Sequence, residues 1–150
     1  MLDQLMSRIS KSTEQPVALT MNEWDLRSNK VRTDESGIGD LIADILLISM
    51  ERELRSQSEK EMDATVSAGG RMADCCIICG GSLRSDSVFG PGVITLGNLI
   101  EIMPFEDAIV VKELRGQDIW DALENGFSTY PKQEGRFPQV AGMQVIWDSR

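Results

Sequence analysis

A stripe of apolar residues at helical spacing lies in the first third of the chain and predicts its clearest helix. Ile38, Leu41, Ile42, Ile45 and Ile48 recur every three or four residues. Ser36 or Asp34 is a suitable N-cap for this helix. Gly37 and Gly39 are poor helix formers at its start, so we expect accessible backbone N–H groups there, a geometry that suits an anion.

Short β-prone runs alternate with further helical patterns along the rest of the chain. Strands are predicted at residues 17–20, 74–79, 108–114 and 137–147, and helices at residues 96–103 and 117–127. The inner side of the helix at residues 117–127 is predicted to carry Ile119, Trp120, Leu123 and Phe127. Because the connections vary in length, we expect an α+β fold with a mixed sheet and packed helices.

The start of the chain is predicted to be separate from the domain that follows it. Residues 1–14 are predicted to be a linker helix that leads into the domain, and residues 15–150 to be the domain itself. Residues 59–73 are polar and contain glycine, which predicts a loop. A chain of 150 residues has the size of one ordinary domain.

The charge and hydropathy patterns exclude two classes of partner. A net charge of −9 argues against a nucleic acid polymer, which requires a broad basic face. No apolar run approaches the roughly 18 residues of a membrane span. The first twenty residues lack the apolar core of a secretory signal, so a cytoplasmic location is expected if Met1 is the true N-terminus, and otherwise the parent protein sets the location.

The absence of histidine removes most hydrolytic centres from this chain. With 0 histidines it can form neither a Ser-His-Asp triad nor a histidine-bearing two-metal centre. The thiols of Cys76 and Cys79 form a C-x-x-C but fall on opposite faces of a predicted strand, and Cys75 lies about 13 Å from Cys79 along it. We therefore predict buried, inert thiols, with no catalytic and no metal-binding residue; a redox role is the alternative reading.

The remaining features are those of a binding site. Gly80 and Gly81 end a strand and allow a ligand close to the backbone. Arg84 follows them, and its guanidinium suits phosphate oxygens, as does that of Arg32. Phe105 follows a proline at the end of a helix, where a ring can be presented at a surface.

Five blocks in one order resemble the C-terminal domain of the 5′-nucleotidase/UDP-sugar hydrolase family. They are VRTDESGIGDLIAD at residues 31–44, IICGGSLR at 77–84, GVITLGNLIEIMPF at 92–105, VVKELRGQDIWDALE at 110–124 and GRFPQVAG at 135–142. The similar family blocks are R-x-x-E-S/T-N-x-G-N-L-I-A-D, I-x-N-G-G-x-I-R, G-x-I-T-x-x-D/N-L-x-x-x-L-P-F, V-V-x-x-L-T-G-x-x-L-x-x-A-L-E and G-x-F-L-Q-V-S-G.

The resemblance implies the substrate-recognition domain of a two-domain phosphoesterase that hydrolyses nucleoside phosphates. The N-terminal domain of such an enzyme holds two divalent metal ions and would be this chain's partner. In the recognition domain, the positions that match Arg32, Cys79 and Arg84 contact phosphate or ribose, the Gly80–Gly81 loop adjoins them, and the aromatic ring that matches Phe105 stacks on the base. The resemblance therefore implies a nucleoside phosphate ligand.

Departures from the family pattern leave a second reading open. Cys79 replaces the asparagine before Gly-Gly, Gly37 replaces the asparagine of the first block, and Asp40 replaces another asparagine. The family's closing N-G-G-D-G-F/Y block would fall beyond Arg150, so the resemblance implies that the domain's final segment is missing. The alternative function is a degenerate, non-catalytic interaction domain that has lost nucleotide binding.

Overall fold

The structure is a computed structural model that describes residues 12–60 and 73–149. The elements in chain order are β1 (Pro16–Thr20), β2 (Trp24–Asp25), α1 (Ser28–Val31), α2 (Gly37–Lys60), β3 (Cys76–Cys79), a 3-10 turn (Gly80–Ser82), β4 (Val88–Phe89), β5 (Gly92–Thr95), α3 (Leu96–Ile102), α4 (Gly116–Phe127) and β6 (Pro138–Ala141). Residues 1–11 of the predicted linker helix lie outside the described residues, as do residues 61–72 of the predicted loop.

The described strands pair in three antiparallel ladders. β1 pairs with β5, β2 with β4 and β3 with β6, and a bulge interrupts the first pair between Pro16 and Ala18. The predicted α+β class is confirmed. The predicted mixed sheet is replaced, within residues 12–60 and 73–149, by three separate two-stranded ladders, because each described strand pairs along one edge only.

Helix α2 packs on β3 and β6 and contributes to the main core. The core is formed by six buried apolar residues from the two halves of the chain: Leu26, Val31, Ile38, Ile42, Leu83 and Ile102. The predicted stripe is correct at Ile38 and Ile42, whereas Leu41, Ile45 and Ile48 are exposed. The helix buries Ala43 and part of Leu46 instead, so its inner face is rotated from the predicted one.

Two helix boundaries follow from capping groups. Thr95 and Asn98 form a capping box at the start of α3, in which the Thr95 hydroxyl accepts from the Asn98 N–H at 3.3 Å. Arg115 precedes α4, and its side chain and N–H bond to Asp118. These two helices begin within one residue of the predicted positions.

The predicted strand at residues 108–114 is wrong. This stretch has no strand partner among the described residues, and all of its side chains are exposed, with Val110 at 69%. On α4, Trp120 was predicted to face inward but is 62% exposed. The predicted strand at 137–147 ends at Ala141, because Gly142 adopts a φ of 73° and turns the chain.

No helix within residues 12–60 and 73–149 combines the length and the apolar character needed to cross a membrane.

Candidate functional site

A buried amide holds the turn that carries Arg32. Arg32 follows α1, and the chain then turns through Asp34 to Ser36 before α2 begins. The Gln139 side chain donates to the carbonyl oxygens of Val31 at 3.1 Å and Asp34 at 2.8 Å. Its oxygen accepts from the N–H of Ser36 at 3.0 Å. The turn is therefore fixed from strand β6.

Ser36 is the N-cap of α2, as predicted. Its hydroxyl oxygen accepts from the Gly39 N–H at 3.1 Å, and its carbonyl accepts from the Asp40 N–H at 2.9 Å. The surroundings of Gly39 do not favour the expected anion site at this helix start. The Gly39 N–H is already used, the Gln139 side chain occupies the space beside Gly39, and the nearest charges are carboxylates.

The Gly80–Gly81 loop packs against two other backbone segments. The Gly80 N–H donates to the Phe137 carbonyl at 2.7 Å, and the Gly81 N–H donates to the Gly135 carbonyl at 2.9 Å. A Cβ on Gly80 would overlap the carbonyl oxygen of Val31, and one on Gly81 would lie 2.6 Å from the Gly135 Cα. Glycine is therefore required at both positions by the close approach of other backbone segments. The contact with Val31 places the loop next to the residue that precedes Arg32.

Arg84 and Phe105 form a pair at the other end of this loop. The Arg84 N–H donates to the Ile102 carbonyl at 2.8 Å, which ties the arginine to the end of α3. The guanidinium carbon lies 5.0 Å from the centroid of the Phe105 ring, within cation–π range. Both side chains are exposed, so a ligand can reach them.

Arg32 and Arg84 differ from several other basic residues in their electrostatic partners. Arg27 pairs with Asp25 at 2.6 Å, Arg115 with Asp118 at 2.9 Å, and Lys30 with Asp34. Within the described ranges neither Arg32 nor Arg84 pairs with a carboxylate. The Arg32 Nη1 donates to the Gln133 carbonyl at 3.4 Å, and its buried Nε has no hydrogen-bond partner in the described part of the chain.

The cysteines are less buried than predicted. Cys79 is exposed at the end of β3, and Cys75 and Cys76 are half-buried. Cys76 and Cys79 do lie on opposite faces of the strand, as its spacing predicts. Burial raises the pKa of the Cys75 and Cys76 thiols, which lowers their reactivity at neutral pH. Cys79 is exposed because it lies on the same face of β3 as the exposed Ile77.

A cavity of about 280 Å³ is lined by none of the six predicted site residues. Its lining includes carboxylates and a cluster of contacting aromatic rings: Asp34, Glu35, Asp40, Phe127, Phe137 and Trp147. Burial, together with the neighbouring charge and hydrogen bond of Glu35 and the charge of Asp44, raises the pKa of Asp40 to about 6. The negative charges of the carboxylates in its lining make this cavity unfavourable for a phosphate.

The structure thus places the predicted site residues in two groups joined by residues 80–84. Gly80 lies against the carbonyl of Val31, the residue before Arg32, with Cys79 and Gly81 on either side of Gly80 in the chain, and Arg84 meets Phe105. Gln139 was missed as a supporting residue. A polar residue at an inward position of an apolar run, between Pro138 and Val140, was the available signal.

The described residues do not fit a divalent metal centre. No group of three or more His, Cys, Asp or Glu side chains in residues 12–60 and 73–149 is arranged to hold a metal ion. The implied metal ions therefore have no donor set in the described part of this chain.

Comparison with known proteins defines the class of this α+β domain. The model of the family "5′-nucleotidase, C-terminal domain" matches residues 11–150. The chain is 34% identical over 146 residues to the trifunctional nucleotide phosphoesterase protein YfkN of Bacillus subtilis, a match that covers 97% of this chain and 9% of that protein. It is 27% identical over 142 residues to human 5′-nucleotidase, covering 94% of this chain and 23% of that protein.

A solved structure has the same fold. The 5′-nucleotidase precursor of Thermus thermophilus superposes with a TM-score of 0.71 at 28% identity, covering 94% of this chain and 24% of that one. This chain therefore belongs to the 5′-nucleotidase C-terminal domain family. It spans about a tenth to a quarter of the length of these relatives.

Proposed function

We propose that this chain is the nucleotide-recognition domain of a metal-dependent phosphoesterase that hydrolyses nucleoside phosphates. In this proposal Arg32 and Arg84 bind phosphate or ribose oxygens, the Gly80–Gly81 loop lies next to Cys79 and supports the site through its packing, and the Phe105 ring stacks on the base. Two divalent metal ions and the hydrolytic chemistry belong to an N-terminal metallophosphoesterase domain, which is the expected partner.

The observation that carries the proposal is the contact between Arg84 and Phe105. A guanidinium 5.0 Å from an exposed ring, with no carboxylate partner within the described ranges, supplies an anion-binding group and a stacking surface side by side. A nucleotide presents phosphate and base, and these two groups complement that pair. Arg32 directly follows Val31, whose carbonyl lies against Gly80, and adds a second guanidinium without a carboxylate partner in the described ranges.

The affinity expected of this chain alone is low. Two charge-assisted hydrogen-bonding contacts contribute about 1.5–3 kcal/mol each, and one stacked base contributes about 1–3 kcal/mol. Loss of translational and rotational freedom costs roughly 4–15 kcal/mol. We therefore expect millimolar or weaker binding, and no hydrolysis by the chain alone with or without added divalent metal.

Saturation-transfer NMR with AMP and adenosine tests the proposal. The unmodified chain is expected to transfer saturation to the adenine protons, and Phe105→Ala to abolish the signal. Trp120→Ala is the matched control, because it removes another exposed aromatic ring, on α4, that is not one of the predicted site residues. Equal loss in both variants, or no signal from the unmodified chain at any millimolar concentration, contradicts the proposal.

Activity tests the other half of the proposal. Supplying a metallophosphoesterase domain upstream of Met1 should produce AMP hydrolysis, and Arg84→Ala should lower kcat/KM by about tenfold or more. Hydrolysis by the chain alone would contradict the proposal that the hydrolytic chemistry belongs to the N-terminal domain.

Cys79 favours one alternative, a non-catalytic interaction domain. An exposed thiol replaces the asparagine of the family motif next to the glycine loop, so an amide that donates and accepts hydrogen bonds is missing from the site. The absence of AMP contact in the NMR experiment, together with a folded chain, would support this reading.

A further inference from the structure

We infer that Gln139 is a positioning residue that holds Arg32 beside the Gly80–Gly81 loop and so sets the affinity for phosphate-bearing ligands. The inference deepens the proposed function and rests on it for the identity of the ligand. Gln139 lies on β6, more than 100 residues from Arg32 in sequence, and its side chain is 1% exposed. It is therefore a group that acts through Arg32 and not by touching a ligand.

The hydrogen-bonding capacity of the Gln139 amide is directed at one turn. Its nitrogen donates to the carbonyls of Val31 at 3.1 Å and Asp34 at 2.8 Å, which lie on either side of Arg32 in sequence. Its oxygen accepts from the Ser36 N–H at 3.0 Å and the Ser36 hydroxyl at 3.3 Å. Both donors and the acceptor oxygen are thus used by residues 31–36.

The Val31 carbonyl connects this clamp to the glycine loop. Its oxygen accepts from Gln139 and also lies against Gly80, where it leaves no room for a side chain. A shift of this peptide group would therefore displace the backbone at Arg32 and at Gly80 together. The Gly80 N–H also donates to the Phe137 carbonyl at 2.7 Å, directly before strand β6, so both sides of the site are tied to the same segment.

The Arg32 side chain has few restraints of its own. Its hydrogen bond to the Gln133 carbonyl is long, at 3.4 Å, and its buried Nε has no partner in the described part of the chain. The position of the guanidinium therefore depends mainly on the backbone turn that carries Arg32. Gln139 has room for its amide only because Gly39 has no side chain in the space that the amide occupies. The side-chain amide is suited to this position because it offers two donors and an acceptor without carrying a charge.

The experiment uses Gln139→Met in the full chain, since methionine keeps the length and volume of the side chain but removes the amide. The first readout is the Arg32 Nε–Hε NMR signal, assigned by its loss in Arg32→Lys. The second readout is the ratio of AMP to adenosine affinity from chemical-shift titration. We expect the Arg32 signal to move and the ratio to fall about tenfold, because a charge-assisted contact to phosphate is lost. A purely structural weakening would lower both affinities equally and leave the ratio unchanged.

Gln117→Met is the matched control, because Gln117 is exposed on α4 and its side chain bonds to Asp121 on the same helix. It should leave both readouts unchanged. A Gln139→Met variant that folds with an unmoved Arg32 signal overturns the inference. If AMP does not bind the unmodified chain but the Arg32 signal still moves, the proposed ligand fails while the positioning role stands.

Two further measurements decide the matter if Gln139→Met does not fold. Ser36→Ala removes only the 3.3 Å contact and the N-cap, and should move the Arg32 signal in the same direction by a smaller amount. In the unmodified chain, the Gln139 side-chain amide protons should exchange with D2O far more slowly than those of Gln117. Equal exchange rates for the two amides would overturn the inference.

Discussion

The carbonyl oxygen of Val31 occupies the position that a side chain on Gly80 would need. The contact joins the end of α1 to the 3-10 turn after β3, two segments that are about 50 residues apart in sequence. Because the atoms that an added side chain would meet belong to the backbone, they can move little to make room for it.

Gly80→Ala should therefore destabilise the chain by about 1–3 kcal/mol, the usual cost of overpacking. Urea denaturation followed by circular dichroism measures the free energy of unfolding. Gly37→Ala is the matched control, because nothing lies within 4 Å of its added Cβ and it sits in a helix. That control should raise the free energy of unfolding by about 0.5–1 kcal/mol. Equal effects in the two variants would show that the Val31 contact is not rigid.

Asp40 should make stability depend on pH. Burial and the charges of Glu35 and Asp44 raise its folded-state pKa to about 6, above the value of about 3.9 in an unfolded chain. The folded state therefore binds this proton more tightly, and the contribution of Asp40 to stability grows as the pH falls from about 7 to 4.

Asp40→Asn should remove that pH dependence and raise the free energy of unfolding at pH 8. We expect about 1 kcal/mol, because solvent screens a partly exposed carboxylate and the helix N-terminus favours its charge. Denaturation of both proteins between pH 4 and 8 measures the difference. Asp107→Asn, which removes an exposed carboxylate from another segment, is the control, and an identical pH profile for Asp40→Asn and the unmodified chain contradicts the assignment.

Cys79→Asn should strengthen AMP binding. The side chain is exposed beside the glycine loop, and the amide would restore a donor and an acceptor at the position where the family motif has them. An added hydrogen bond contributes about 0.5–1.5 kcal/mol, so the NMR-derived Kd should fall about two- to tenfold. Cys79→Ser, whose shorter side chain reaches less far, should have a smaller effect. Unchanged affinity in both variants would place residue 79 outside the ligand site.

Residues 108–114 should promote self-association of the chain. Ile109, Val110 and Val111 are adjacent, exposed and without strand partners among the described residues. Such a segment is a template for pairing with another chain. Val110→Lys should reduce the concentration dependence of the sedimentation coefficient without lowering the free energy of unfolding, since the side chain is already exposed. Gln117→Lys controls for the added charge, and an equal reduction there would mean that net charge alone controls association.

Elements defined by local signals could be predicted from the sequence. The capping residues Ser36 and Thr95 fix helix starts through contacts three residues away, and Gly116–Phe127 carries its helical pattern within one segment. The turn at Gly80–Gly81 after β3 was also predicted from its residues, whereas a role of this loop, Arg84 and Phe105 in ligand binding stays a prediction. The interactions that determine such elements are made between residues close together in the sequence.

Elements that depend on distant partners could not be predicted in the same way. Residues 108–114 have the β-branched composition of a strand, but a strand also needs a hydrogen-bonding neighbour, and none is present among the described residues. Trp120 matches the helical stripe of α4, yet no described element covers it. The role of Gln139 depends on residues 31–36, more than 100 positions away, and no local pattern connects them.

The pairing of β3 with β6 also affects how the domain is made. The two strands are separated by about 60 residues, from Cys79 to Pro138, and the β6 segment supplies the carbonyl and amide groups that fix both site loops. Contacts between such distant segments form slowly, since a long loop must close first. During synthesis, the glycine loop and the Arg32 turn would emerge from the ribosome well before the strand that organises them. The Arg32 turn and the glycine loop would therefore reach their final positions only after strand β6 has been synthesised.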